Sequence, residues 1–194
     1  MSKLYFRYAA MNAGKTTQLL QVAHNYEERG MKVLLMKPSI DSKGADTVIS
    51  RLGVDRKVDF LIGKESNIYD LMMKYSLSKK LDCILIDEAQ FLTKEQVDQL
   101  LHITVEVDIP VICYGLRTDF MTNGFEGATR FLQIAHTIEE MKTICNCGRK
   151  AILNIRKVNG HAVFEGEQVQ IDNNDKVEYI SVCARCYYEM KNKR

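Results

Sequence analysis

An apolar run, Leu4 to Ala9, leads into a stretch with helical spacing, Thr16 to Arg29, through Ala9-Ala10-Met11-Asn12-Ala13-Gly14-Lys15-Thr16. A strand that passes through a glycine-containing loop straight into a helix leaves the helix's first N–H groups without intrahelical partners. Those groups, the positive end of the helix dipole and a lysine together form an anion site suited to a polyphosphate. In the phosphate-loop pattern the lysine, here Lys15, pairs with the β- and γ-phosphates, and the hydroxyl of Thr16 holds Mg²⁺. The pattern opens on glycine, and this chain has Ala9 there. Alanine serves that place if its φ is negative, because only positive φ penalises a Cβ. Taken alone, Ala13-Gly14-Lys15-Thr16 also reads as an ordinary helix start.

The rest of the chain sets that loop in an α/β frame. Apolar runs recur at Leu4 to Ala9, Val33 to Met36, Phe60 to Ile62, Cys83 to Ile86 and Val111 to Tyr114, mostly with helix-like segments between them. That alternation predicts a mainly parallel sheet. Thr16 to Arg29 stops at Gly30, a helix-ending residue. Ile68 to Leu77 and Lys94 to Leu101 have helical spacing, and Ser39 to Asp46 reads as a mobile loop. Hydrophobic residues at 46% and charged residues at 27% of 194 suit a globular chain with a buried core. No run of about 18 apolar residues occurs, and the first residues are not a signal peptide, so a cytoplasmic protein without a membrane partner is expected. A net charge of +2 is too small for the broad positive field of a nucleic-acid binder.

Cys83-Ile84-Leu85-Ile86-Asp87-Glu88 is a buried-type strand ending in two carboxylates. Ligand sites in parallel sheets open at the carboxyl edge, which lets Asp87 join the Mg²⁺ shell and leaves Glu88 to accept a proton from a hydroxyl nucleophile. The alternative is that Asp87 and Glu88 cap the helix that follows. Read together, the two motifs stand on successive strand edges.

Cys145 and Cys147, then Cys183 and Cys186, make a two-plus-two set suited to tetrahedral zinc. Four thiolates leave no open position, so the zinc is expected to be structural; four unconnected thiols are the alternative. Cys83 and Cys113 sit in apolar strands and read as core residues. The four histidines show no ligand spacing. After Thr143 the pattern changes to short alternating runs bracketed by the cysteine pairs, which divides the chain into residues 1–142 and 143–194.

With these motifs in place the chain resembles the thymidine kinases of the cytosolic, tetrameric, zinc-containing type along nearly its whole length. The likeness rests on Ala10 to Thr16, on Ile86-Asp87-Glu88-Ala89-Gln90-Phe91, on Tyr114 to Phe120, on the cysteine pairs, and on Tyr179 to Cys183. The Met11-Asn12-Ala13 form of the loop is most similar to bacterial and phage members. The resemblance implies a RecA-like P-loop domain followed by a zinc-bearing lasso domain. It also implies that Glu88 is the base for a nucleoside 5′-hydroxyl, and that Ala9 to Thr16, Asp87 and Gln90 handle MgATP. A thymine pocket of Met11, Phe91, Leu116, Phe120, Phe125 and Tyr179 follows from the same likeness. Gln168, Val169, Gln170, Ile171 and Asp172 would close over the base, and Asp41 would lie near the phosphates and sugar. Read without the family, Phe120 and Phe125 are more simply core aromatics.

A homotetramer and feedback inhibition by dTTP are further implications. Two departures stand out: Asp172-Asn173 replaces the usual Gly-Gly, and Asn154 stands where some relatives have a small residue near the thymine methyl. The rival readings are an ATPase in which Glu88 activates water, and a zinc-ribbon module that binds nucleic acid, which would need a basic face interleaved with aromatics.

Overall fold

In chain order the strands of the computed structural model are β1 (Leu4–Ala9), β2 (Val33–Pro38), β3 (Thr47–Ile49), β4 (Asp55–Lys57), β5 (Phe60–Ile62), β6 (Cys83–Ile86), β7 (Val111–Leu116) and β8 (Thr137–Glu140). There follow β9 (Thr143–Ile144), β10 (Lys150–Ala151), β11 (Leu153–Val158), β12 (His161–Val163) and β13 (Val177–Val182). The helices are α1 (Lys15–Glu27), α2 (Ile68–Ser76), α3 (Lys94–Glu106), α4 (Glu126–Ile134) and α5 (Ala184–Asn192). The structure describes residues 1–39, 46–76, 80–169 and 176–193; Asp41, Gln170, Ile171, Asp172 and Asn173 lie outside them, as does most of the loop expected at Ser39 to Asp46.

Six strands form one parallel sheet in the order β5-β2-β6-β7-β1-β8. Strands β6 and β7 are buried at every position, which is why they read as unbroken apolar runs: a parallel sheet is covered on both faces. Alternate residues feed two cores. Leu34, Met36, Ile84 and Ile86 pack with α2, α3 and α4, while Leu35, Cys83, Leu85 and Tyr114 pack with α1. Cys83 and Cys113 are both fully buried core residues.

The sheet order revises one expectation. The loop strand β1 and the acidic strand β6 are not neighbours; β7 lies between them. The two motifs are therefore separated by the end of β7, and that gap is where the site opens. Helix α3 runs to Glu106 instead of Leu101 because the apolar phase of Val97 and Leu100 continues in Ile103. Helix α4 and strand β8 were not anticipated: α4 follows directly on an aromatic-bearing loop, and β8 is a polar edge strand, with little apolar signal to give.

Beyond Thr143, β9 pairs with β10, and β12-β11-β13 form an antiparallel sheet. Ile155, Phe164, Val182 and Tyr187 make a third, small core there together with Cys145 and Cys183. Among the described residues no helix is long and apolar enough to cross a membrane.

Candidate active site at the carboxyl edge of the sheet

The loop from Ala10 to Gly14 leaves β1 and enters α1 with two left-handed residues, Asn12 at φ 63° and Gly14 at φ 75°. Gly14 is the N-cap of α1 and makes that turn without a Cβ penalty. Ala9 ends β1 and is not among the residues with positive φ, so its side chain costs nothing there. A cavity of about 240 Å³ opens over this loop, lined by Met11 to Thr17 and by Ile49, Arg51, Glu88 and Leu116. Lys15 is 9% exposed and donates to the Ala10 carbonyl at 3.4 Å. Burial lowers its pKa, against the pull of the Glu88 and Asp87 carboxylates. The Thr16 hydroxyl donates to Asp87 Oδ2 at 3.2 Å.

Asp87 follows the end of β6 and is 3% exposed. Loss of water raises its pKa to about 6, with the neighbouring Glu88 charge adding to the effect. Glu88 has φ 51° and starts the short turn Ala89–Phe91, but its side chain makes no capping bond. It accepts instead from Gln90 Nε2 at 2.5 Å. Gln90 is buried and receives the Leu116 N–H on its Oε1 at 3.0 Å, tying the end of β6 to the end of β7. Gly115 permits this contact, since a Cβ there would lie 2.8 Å from Gln90 Oε1 and 3.0 Å from Gln90 N.

A second cavity of about 290 Å³ lies on the other side of Glu88. Met11, Phe91, Leu116, Phe120, Phe125, Gln168, Val169 and Tyr179, each named from the sequence, line it together with Glu88 and Gln90. Phe91 and Phe125 meet edge to face at 5.4 Å. Met11, Glu88 and Leu116 border both cavities. The Met11 N–H is engaged from outside the loop, donating to Asn154 Oδ1 at 2.8 Å.

Several wall residues, and Arg156 beside them, escaped the sequence reading. Lys37 and Pro38 end β2 at the same sheet edge, where the carboxyl-end rule could have found them. Asp119 is buried, accepts from the Met121 and Asn123 N–H groups, and takes Gln168 Nε2 at 3.0 Å. Arg156 is 2% exposed; its guanidinium sits 3.8 Å over the Phe120 ring and donates to the Tyr179 hydroxyl and to the carbonyls of Glu167 and Gln168. Arg51 reaches the loop cavity from the turn between β3 and β4.

The four thiols of Cys145, Cys147, Cys183 and Cys186 lie within 4.8 Å of one another, with Cys147 and Cys183 at 3.6 Å. Tetrahedral zinc with thiolates at about 2.3 Å places its sulfurs about 3.8 Å apart, so the set fits that ion. The Arg149 backbone N–H, with the other thiols, draws the Cys147 pKa down to about 6, favouring the thiolate that a metal needs.

A family model described as thymidine kinase matches residues 2–187. A thymidine kinase of Francisella tularensis subsp. holarctica is 47% identical over 97% of this chain and 98% of its own length. One from Mannheimia succiniciproducens is 49% identical over 98% and 97%, and one from Legionella pneumophila 50% identical over 96% and 90%. A solved DNA replication initiation factor overlaps 73% of this chain and 40% of its own at 16% identity and a TM-score of 0.40, a likeness that carries no argument. With the match running from the phosphate loop through the last cysteine pair, the chain belongs to the thymidine kinase family.

Proposed function

We propose that this chain transfers the γ-phosphoryl group of ATP to the 5′-hydroxyl of thymidine, giving dTMP and ADP. The observation that carries the reading is the position of Glu88, which borders both the loop cavity and the aromatic cavity. A carboxylate there can accept the proton of a hydroxyl presented from one cavity as that oxygen meets a phosphorus presented from the other. Gln90 orients it through the 2.5 Å hydrogen bond. Lys15 and the N–H groups at the start of α1 hold the phosphates and balance the charge that spreads over the transferred group. The Thr16 hydroxyl and Asp87 carboxylate are oxygen donors of the kind Mg²⁺ takes, and that ion when bound neutralises β- and γ-phosphate charge. Arg51 adds a positive charge on the same cavity.

The aromatic cavity suits a flat base: Phe91, Phe120, Phe125 and Tyr179 supply ring surface, and Gln168 and Asn154 supply polar groups at its edge. In this reading residues 1–142 are the nucleotide-binding and catalytic part and 143–194 the zinc-holding part that closes over the nucleoside. Cys145, Cys147, Cys183 and Cys186 would hold one structural Zn²⁺. Membership in the family further supports deoxyuridine as an acceptor, dTTP as an inhibitor, a homotetramer, and a cytoplasmic place in nucleotide salvage.

Transfer from ATP should be assayed with thymidine, deoxyuridine, deoxycytidine and deoxyadenosine. ADP formation that depends on thymidine is the expected result. Preference for deoxycytidine or deoxyadenosine would overturn the specificity, and nucleoside-independent ADP release would favour the water-activating ATPase.

A further inference from the structure

The turn in the phosphate loop is gripped from outside the loop. Asn12 is in the left-handed region, which asparagine enters more readily than other side chains but still at some cost relative to glycine. Its φ depends on how the Met11–Asn12 peptide is oriented; the Met11 carbonyl, which belongs to that peptide, and the Met11 N–H, which belongs to the peptide before it, are both engaged by one place in the C-terminal sheet. Asn154 and Ser181 face each other across β11 and β13. Asn154 Oδ1 accepts the Met11 N–H at 2.8 Å, while the Ser181 hydroxyl donates to the Met11 carbonyl. Two residues away on β13, the Tyr179 carbonyl lies 3.5 Å from Asn12 Nδ2. Asn154 is 3% exposed and is steadied in turn by donating to the Thr118 carbonyl at 3.4 Å.

We infer that Asn154 and Ser181 are positioning residues for the phosphate loop, Asn154 holding the Ala10–Met11 peptide by its N–H and Ser181 the Met11–Asn12 peptide by its carbonyl, in the orientation that ATP binding requires. The inference rests on the loop's reading as the ATP site. Its consequence is that the C-terminal part completes the ATP site as well as the nucleoside cavity. Ser181 does not line the aromatic cavity, so its loss separates the two roles.

The test is titration of ATP with Mg²⁺ into the full-length protein as purified, together with thymidine kinetics and zinc analysis. Ser181→Ala is expected to weaken ATP binding about five- to ten-fold, the effect of one hydrogen bond, with zinc content unchanged and the KM for thymidine within about two-fold. Ser181→Thr keeps the hydroxyl and should restore binding. Adding Asn12→Gly to Ser181→Ala should recover about three-fold, since glycine takes positive φ without the grip. Should Ser181→Ala fail to fold, Asn154→Ala removes the other half of the grip and is expected to weaken ATP binding by a similar factor, read by ATP titration without thymidine because Asn154 also lines the aromatic cavity. ATP affinity that these substitutions leave untouched overturns this inference alone, as does a loss that falls equally on both substrates without recovery by glycine. No ATP binding by the unsubstituted protein would overturn the phosphotransferase reading itself.

Discussion

At Glu88 the backbone is left-handed, at φ 51°, in a residue with a full side chain. Such positions cost of order 1 kcal/mol and gather at sites where a side chain must be aimed. Here the turn directs the carboxylate away from the helix-capping role its sequence position allows and onto Gln90. Glu88→Gln keeps the shape and still offers a carbonyl oxygen to Gln90 Nε2, but it cannot take a proton. Its kcat is therefore expected to fall roughly 100-fold or more while ATP affinity stays within a few-fold. Single-turnover assays beside equilibrium ATP binding check this. Near-normal turnover would remove Glu88 from proton transfer.

Among the elements, legibility followed burial. Strands β6 and β7 were plain in the sequence because burial on both faces demands unbroken apolar runs. Strand β8 and the hairpin of β3 and β4 carry polar residues at an edge or near solvent, so no apolar pattern marks them. Strand β11 misleads more: Asn154, Ile155 and Arg156 look like an alternating strand with polar residues outward, yet all three are buried. Ile155 fills the small C-terminal core, whereas Asn154 grips Met11 and Arg156 holds the carbonyls of Glu167 and Gln168. No local signal announces that, because their partners are 11 to 143 residues away in the chain. The join between β6 and β7 offers an element-scale test. In Gly115→Ala the new Cβ would press on Gln90 Oε1 and on the Gln90 backbone, which cannot swing aside as a side-chain tip can. Overpacking of this kind costs about 1–3 kcal/mol. A Tm lower by several degrees and a kcat reduced by loss of the Glu88–Gln90 alignment are expected from calorimetry and steady-state assays. An unchanged Tm would mean that the strand ends yield more easily than the contact implies.

Across the whole molecule, the thiol cluster stands at the end of a short mechanical path. Strand β13 passes from Tyr179 in the aromatic cavity through Ser181 on the phosphate loop to Cys183, which caps α5 and borders the cluster. Helix α5 then sends the Tyr187 hydroxyl to the Phe120 carbonyl at 2.9 Å. The core shared by these elements is small, and a module with so little apolar burial depends on metal ligation for its folding energy. If the zinc-holding part served only to close over the nucleoside, losing the zinc would weaken nucleoside binding more than MgATP binding. The contacts on Met11 add that ATP is not spared. Cys183→Ser, or prolonged exposure of the protein to a strong zinc chelator, is expected to release the metal and lower the Tm. Thymidine affinity should drop by more than about ten-fold, since the cavity loses a wall, and ATP affinity by several-fold, since the loop loses its grip. Zinc analysis, calorimetry and separate titrations of the two substrates distinguish this from a metal used in the chemistry, which would leave both affinities intact and stop only the transfer. Unchanged thymidine affinity in zinc-free protein would break the path at its first link, between the thiols and β13.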